Sequence, residues 1–109
     1  MAVEANMASI KIRTKRLDGN TQIRTLISHP MEHGRNKDKT TNKLIPAHFI
    51  QVLTVTHNGK IIATCNMGAG ISKDPYFAFL LKGGKPGDEI VIDWVDNLGG
   101  KDSEKHTIT

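Results

Sequence analysis

The chain has 109 residues, with 15 Lys and Arg against 11 Asp and Glu, and a formal charge of +4. This length suits one domain with a modest core, and 38% apolar with 24% charged residues is the composition of an ordinary globular protein. The longest apolar stretch, Tyr76 to Leu81, is far too short for a transmembrane helix, and a single cysteine, Cys65, excludes an internal disulfide framework.

The first nine residues, 1–9, carry neither a basic lead nor an apolar core, so they do not read as a secretory signal and are expected to be disordered. Taken alone, this feature points to the cytosol. From Ile10 the sequence alternates, with Ile10, Ile12 and Thr14 on one side and Lys11, Arg13 and Lys15 on the other, which predicts a half-buried strand. With Arg16, Arg24 and Asp18 these cations leave +4 between Ile10 and Arg24, a bias toward an acidic partner surface. Asp18-Gly19-Asn20 supplies a turn, and Thr21, Ile23, Thr25 and Ile27 resume the alternation, so the two runs form a predicted hairpin.

His29 to Lys43 is polar, broken by Pro30 and Gly34, and reads as a long exposed loop. Strand character returns over His48 to His57, where Ile50, Val52 and Thr54 are expected on one face and Phe49, Leu53 and Val55 on the other, as in a central strand. Asn58-Gly59 is a strong hairpin signal leading to Lys60–Asn66. Further strands are predicted over Tyr76–Lys82 and Glu89–Asp96, with a seventh from either His106–Thr109 or Lys43–Ile45. No segment has helical periodicity. About seven short antiparallel strands predict an all-β protein, an immunoglobulin-like β-sandwich over residues 10–97 with a C-terminal tail at 98–109. The Cys…Trp…Cys spacing of antibody domains is absent.

Candidate chemistry is sparse. Cys65 as a nucleophile needs a nearby cation or helix N-terminus to hold a thiolate, and its expected same-face neighbours, Ile61 and Ala63, make it a small hydrophobe instead. His29, Glu32 and His33 form an H-x2-E-H cluster, but Pro30 disfavours a helix and the H-E-x-x-H order is not met, so no metal site is expected. His48, His57 and His106 are scattered without a triad pattern. The glycine pairs match no phosphate loop, and the basic strip lacks interleaved exposed aromatics, since Phe77 and Phe79 share one apolar face. Neither nucleic acid nor a membrane is expected as partner. A binding or scaffold subunit fits better than an enzyme; the alternative is a small thiol transferase using Cys65.

Several separated segments then carry a resemblance: Ile23 to Glu32, reading IRTLISHPME; Lys37-Asp38-Lys39; Lys43 to Ile50, reading KLIPAHFI; His57-Asn58-Gly59-Lys60; Ser72 to Tyr76; and Trp94-Val95-Asp96-Asn97. In this order they resemble the SoxZ family, the small subunits of SoxYZ sulfur-carrier complexes. The resemblance implies an immunoglobulin-like fold and a non-catalytic, cofactor-free scaffold that forms a heterodimer with SoxY in thiosulfate oxidation. In that family a cysteine in the Gly-Gly-Cys-Gly-Gly end of SoxY carries the sulfur, with transient contacts to SoxAX, SoxB and SoxCD. Here Gly99-Gly100-Lys101-Asp102 lacks a cysteine, so the chain resembles the scaffold and not the carrier. Cys65 to Gly70 departs from the family's text, as do His33 and Asn42, and no role for Cys65 carries over. The resemblance also implies a periplasmic location reached by export with SoxY on the partner's twin-arginine signal. SoxY is expected to meet a sandwich face and the region His29, Pro30, Met31, Glu32, Leu44, Ile45, Pro46, His48 and Phe49, where apolar side chains follow a polar loop.

Overall fold

A computed structural model describes residues 9–68 and 70–109. The expected disorder of residues 1–9 falls outside the described residues except at Ser9, which is held in place: its backbone N–H and hydroxyl both donate to Asp102, at 3.0 and 2.6 Å. Seven strands follow in chain order, β1 (Ile10–Leu17), β2 (Asn20–Ile27), β3 (Ile50–His57), β4 (Lys60–Asn66), β5 (Tyr76–Leu81), β6 (Glu89–Asp96) and β7 (Lys101–Thr107). They form two antiparallel sheets, ordered β1-β2-β5 and β4-β3-β6-β7, and no helix occurs among the described residues. In the antibody constant-type sandwich the fourth strand joins the first sheet. Here β4 pairs with β3 instead, giving three strands against four.

The alternation that marks β1 and β2 in sequence becomes burial, and β6 alternates in the same way. Ile10, Ile23, Ile27, Ile90, Ile92 and Trp94 line the space between the sheets with Ile50, Leu53 and Val55 from β3. Removing these branched side chains from water is the main stabilising term, at roughly 1.5–3 kcal/mol for each fully buried aliphatic residue. Both two-residue turns use left-handed backbone, Asp18-Gly19 at φ 48° and 80° and Asn58-Gly59 at 49° and 84°, as the tight hairpins require.

Two expectations change because strands are irregular. In β3 the register skips Gln51, so Ile50 joins Leu53 and Val55 in the core, rather than lying with Val52 and Thr54 on the other face. In β4 the register skips Ile62, which turns Ile61 out to solvent and leaves only Ala63 beside Cys65 on the inward side. The seventh strand is Lys101–Thr107, within the stretch expected to be a tail, whereas Lys43–Ile45 makes only an isolated bridge between Lys37 and Leu44. β7 has no apolar residue to betray it. Its alternate side chains Asp102, Glu104 and His106 are half-buried, and two of them bond across the sandwich, Asp102 to Ser9 just before β1 and His106 Nε2 to Thr14 Oγ1 of β1 at 3.1 Å.

The polar segment between β2 and β3 is largely exposed, as expected, and its hydrogen bonds make it an ordered arm. Glu32 and His48 exchange backbone hydrogen bonds at 2.7 and 2.8 Å, Ile45 N–H donates to Asn36 C=O, and Asp38 N–H donates to Lys43 C=O. The tip is capped by Asp38, whose carboxylate accepts from Thr40 and Thr41 N–H, and Asn42 takes φ 58° there, a conformation asparagine tolerates.

Candidate functional site

The root of this arm is a buried polar cluster. The inward phase of β6 runs Ile90, Ile92, Trp94 and then Asp96, so strand alternation delivers a carboxylate to the core, where Asp96 is 3% exposed. One of its oxygens, Oδ2, accepts from His29 Nε2 at 3.1 Å and from His48 Nε2 at 2.7 Å. The other, Oδ1, accepts from the backbone N–H groups of Leu98 and Gly100 at 3.0 and 2.7 Å. Burial by itself would raise the Asp96 pKa, but the donors from His29, His48, Gly100 and Leu98 outweigh it and hold the carboxyl at about 2.

His29 is the centre of the arrangement. Its ring stands edge-on to His48 at 4.6 Å and to Trp94 at 5.0 Å. Its Nδ1 accepts from Met31 N–H, and its backbone exchanges bonds with Asp74, through the Asp74 carboxylate at one end and Asp74 N–H at the other. Met31 is buried with φ 49°, a strained setting for a long side chain, and its sulfur accepts from Ile50 N–H. Asn97 closes the other side, accepting from Phe49 N–H and donating to Ala47 C=O. The start of the arm, its end, the β4–β5 connection and the β6–β7 turn thus meet at one point. Gly100 is required there, since a Cβ at that position would stand 2.7 Å from Asp96 Oδ2.

His29, His48 and Asp96 offer three ligand atoms within 4.8 Å of one another, which is metal-like spacing. The proton positions argue against that use. An ionised carboxylate only accepts, so each imidazole must present Nε2–H to Asp96, and His29 cannot switch tautomer without stripping Met31 N–H of its acceptor. A metal needs the bare nitrogen lone pair. The cluster is a clamp, and every lone-pair direction of Asp96 is taken by a donor of the fold.

The residues expected to bind a partner divide sharply. His29 and Met31, at 3% and 5% exposure, face inward and shape the arm. Pro30, Leu44 and Pro46 are exposed, Leu44 by 60%, while Glu32, Ile45, His48 and Phe49 are half-buried, with Phe49 packed against the core. His29 groups with His48 and Asp96, not with His33 or Glu32 of the H-x2-E-H run. His33 instead caps Arg35 N–H through Nδ1, and Glu32 accepts from the Asn36 side chain. Cys65 is half-buried on β4 and is not one of the residues that bond to Asp96. Sequence reasoning passes over Asp96 and Asp74 as working residues. A carboxylate in the inward phase of an otherwise apolar strand is the signal that would have found Asp96.

Fold and cluster together define a small antiparallel β-sandwich that carries an arm clamped by one buried carboxylate. A family model described as sulphur oxidation protein SoxZ matches residues 10–107. The chain belongs to the SoxZ family, which places it in sulfur oxidation. A search of curated proteins found no match.

Proposed function

We propose that the chain is a non-catalytic scaffold that pairs with SoxY and supports it while the SoxY terminal cysteine carries sulfur between Sox enzymes. The observation that carries this reading is the convergence of the family-like segments. His29-Pro30-Met31-Glu32, Ala47-His48-Phe49, Asp74-Pro75 and Trp94-Val95-Asp96-Asn97 meet in one clamp whose bonds are all internal. Such a cluster spends its chemistry on shape, since its carboxylate is saturated by donors of the fold. What it holds out to solvent is the arm, with Pro30, Leu44 and Pro46 as its exposed apolar points. A preorganised arm lowers the ordering cost of a protein contact. The complex acts in the periplasm, exported as a pair with SoxY, and meets SoxAX, SoxB and SoxCD transiently. The reading is tested by reconstituting thiosulfate oxidation from SoxY and the other Sox enzymes with and without this chain. Turnover is expected to require it, and a Cys65→Ala chain is expected to serve as well as the wild type; equal turnover without the chain contradicts the reading.

A further inference from the structure

The outer face of the three-stranded sheet has a composition the fold itself does not need. The antiparallel registers place its outward side chains in a three-by-three grid: Lys11, Leu26 and Tyr76 in one line, Arg13, Arg24 and Ala78 in the next, Lys15, Gln22 and Leu80 in the third. Arg13 and Arg24 are direct cross-strand partners, a like-charge pairing that destabilises a sheet, and no carboxylate stands in the grid; Glu104 of β7 lines the hollow beside Lys11, Arg13 and Arg24 but forms no ion pair with them. The ion pairs among the described residues involve His29, His48, His57 and Lys105, none of these cations. Beside the cations lie exposed apolar side chains, Leu26 on β2 and Tyr76 and Leu80 on β5, exposed by 41, 57 and 60%. The grid is thus cationic along β1 and apolar along β5, with the two rows about 10 Å apart at the strand spacing of a sheet.

We infer that this face docks a protein surface on which a row of carboxylates runs beside an apolar ridge. Carboxylates seated between Lys11, Arg13, Lys15 and Arg24 remove the repulsion that the isolated chain tolerates. The ridge covers the Tyr76 to Leu80 row, and the short Ala78 between those two side chains leaves a depression that suits it. Charge complementarity of this kind sets register and speeds encounter, while the buried apolar row slows dissociation. Nucleic acid fits less well, because four of the nine grid positions are apolar and only one carries an aromatic ring. The inference rests on the scaffold reading, and it names the sandwich face by which the SoxY-type subunit is held.

The test uses the full chain and its co-expressed SoxY, with affinity followed as salt rises. Wild type is expected to form the complex, with affinity that falls as salt increases. Arg13→Glu with Arg24→Glu, and separately Leu80→Asp, are each expected to weaken it by about tenfold or more. Lys60→Glu with Lys101→Glu, which reverses two charges on exposed positions of β4 and β7 in the other sheet, is expected to leave it within about twofold. All these side chains are exposed, and unchanged thermal unfolding verifies that each variant folds; Tyr76→Ser gives a milder probe of the apolar row. A complex as tight in the grid variants as in wild type overturns the inference and leaves the scaffold reading standing. No complex from wild type overturns both. Binding of wild type to anionic phospholipid vesicles or to duplex DNA, lost in the Arg13→Glu, Arg24→Glu variant while the complex with SoxY is unaffected, also overturns it in favour of that other surface.

Discussion

The imidazole rings of His29 and His48, one at each end of the arm between β2 and β3, stand 4.6 Å apart and donate to the same oxygen of Asp96. Closing a long chain segment costs conformational entropy, and here the two ends are fixed by a shared acceptor, with Asn97 and Asp74 adding backbone bonds on either side. The arm inherits its orientation from the core strand β6.

Asp96→Ala is therefore expected to destabilise the chain by about 3 kcal/mol, because two imidazole N–H groups and two backbone N–H groups lose their acceptor in or near the core. Chemical denaturation reads the loss. Hydrogen exchange should show the arm's backbone bonds opening more readily than those of β2 and β3. Equal protection in wild type and variant would contradict the clamp.

The same carboxylate sets a pH dependence. Its pKa is about 2 in the fold against 3.8 in the unfolded chain, so the fold favours the ionised form. The stabilisation is full above about pH 4 and is lost as pH falls toward 2, amounting to about 2 kcal/mol for a shift of this size. Asp102, which burial would raise but which the Ser9 hydroxyl and N–H hold below the usual range, moves in the same direction. Unfolding free energy measured across this interval should fall with acid, and the slope should flatten in Asp96→Asn.

Thr25 lies inward on β2 between Ile23 and Ile27, and its hydroxyl is buried with no hydrogen-bond partner among the described residues. Thr25→Val keeps the shape and removes the unpaired hydroxyl. It is expected to stabilise the chain by about 1 kcal/mol, seen as a rise of roughly 4–8 °C in Tm. A loss of stability would show that the hydroxyl has a partner.

Cys65, half-buried on the edge strand β4, packs beside Ala63 against the core. Cys65→Ala should cost about 1 kcal/mol through the lost packing. Iodoacetamide at neutral pH should modify the native chain slowly and the denatured chain quickly. Rapid native alkylation would support a thiol transferase instead.

The parts of this molecule legible in sequence are those in which one local rule acts alone. Alternation in β1 and β2 and the turns at Asp18-Gly19 and Asn58-Gly59 declare themselves because period and turn chemistry are short-range. β7 does not, since its inward residues are Asp102, Glu104 and His106, and only contact with Ser9 and Thr14 makes that face acceptable to a core. The irregularities at Gln51 and Ile62 are likewise set by the neighbouring strand, and they reverse which side chains are buried. For the site, sequence pointed to the right segment through His29 and His48. The third member, Asp96, lies far along the chain on β6, and only the sandwich brings it beneath both rings.

Whether this chain works as one half of a pair decides its function. Native mass spectrometry of the chain purified from its own source, without reductant, tests it most directly. The account predicts a one-to-one complex with a second small protein that ends in Gly-Gly-Cys-Gly-Gly, carrying sulfur adducts on that cysteine. A monomer or homo-oligomer alone, or adducts on Cys65 of this chain, would contradict it.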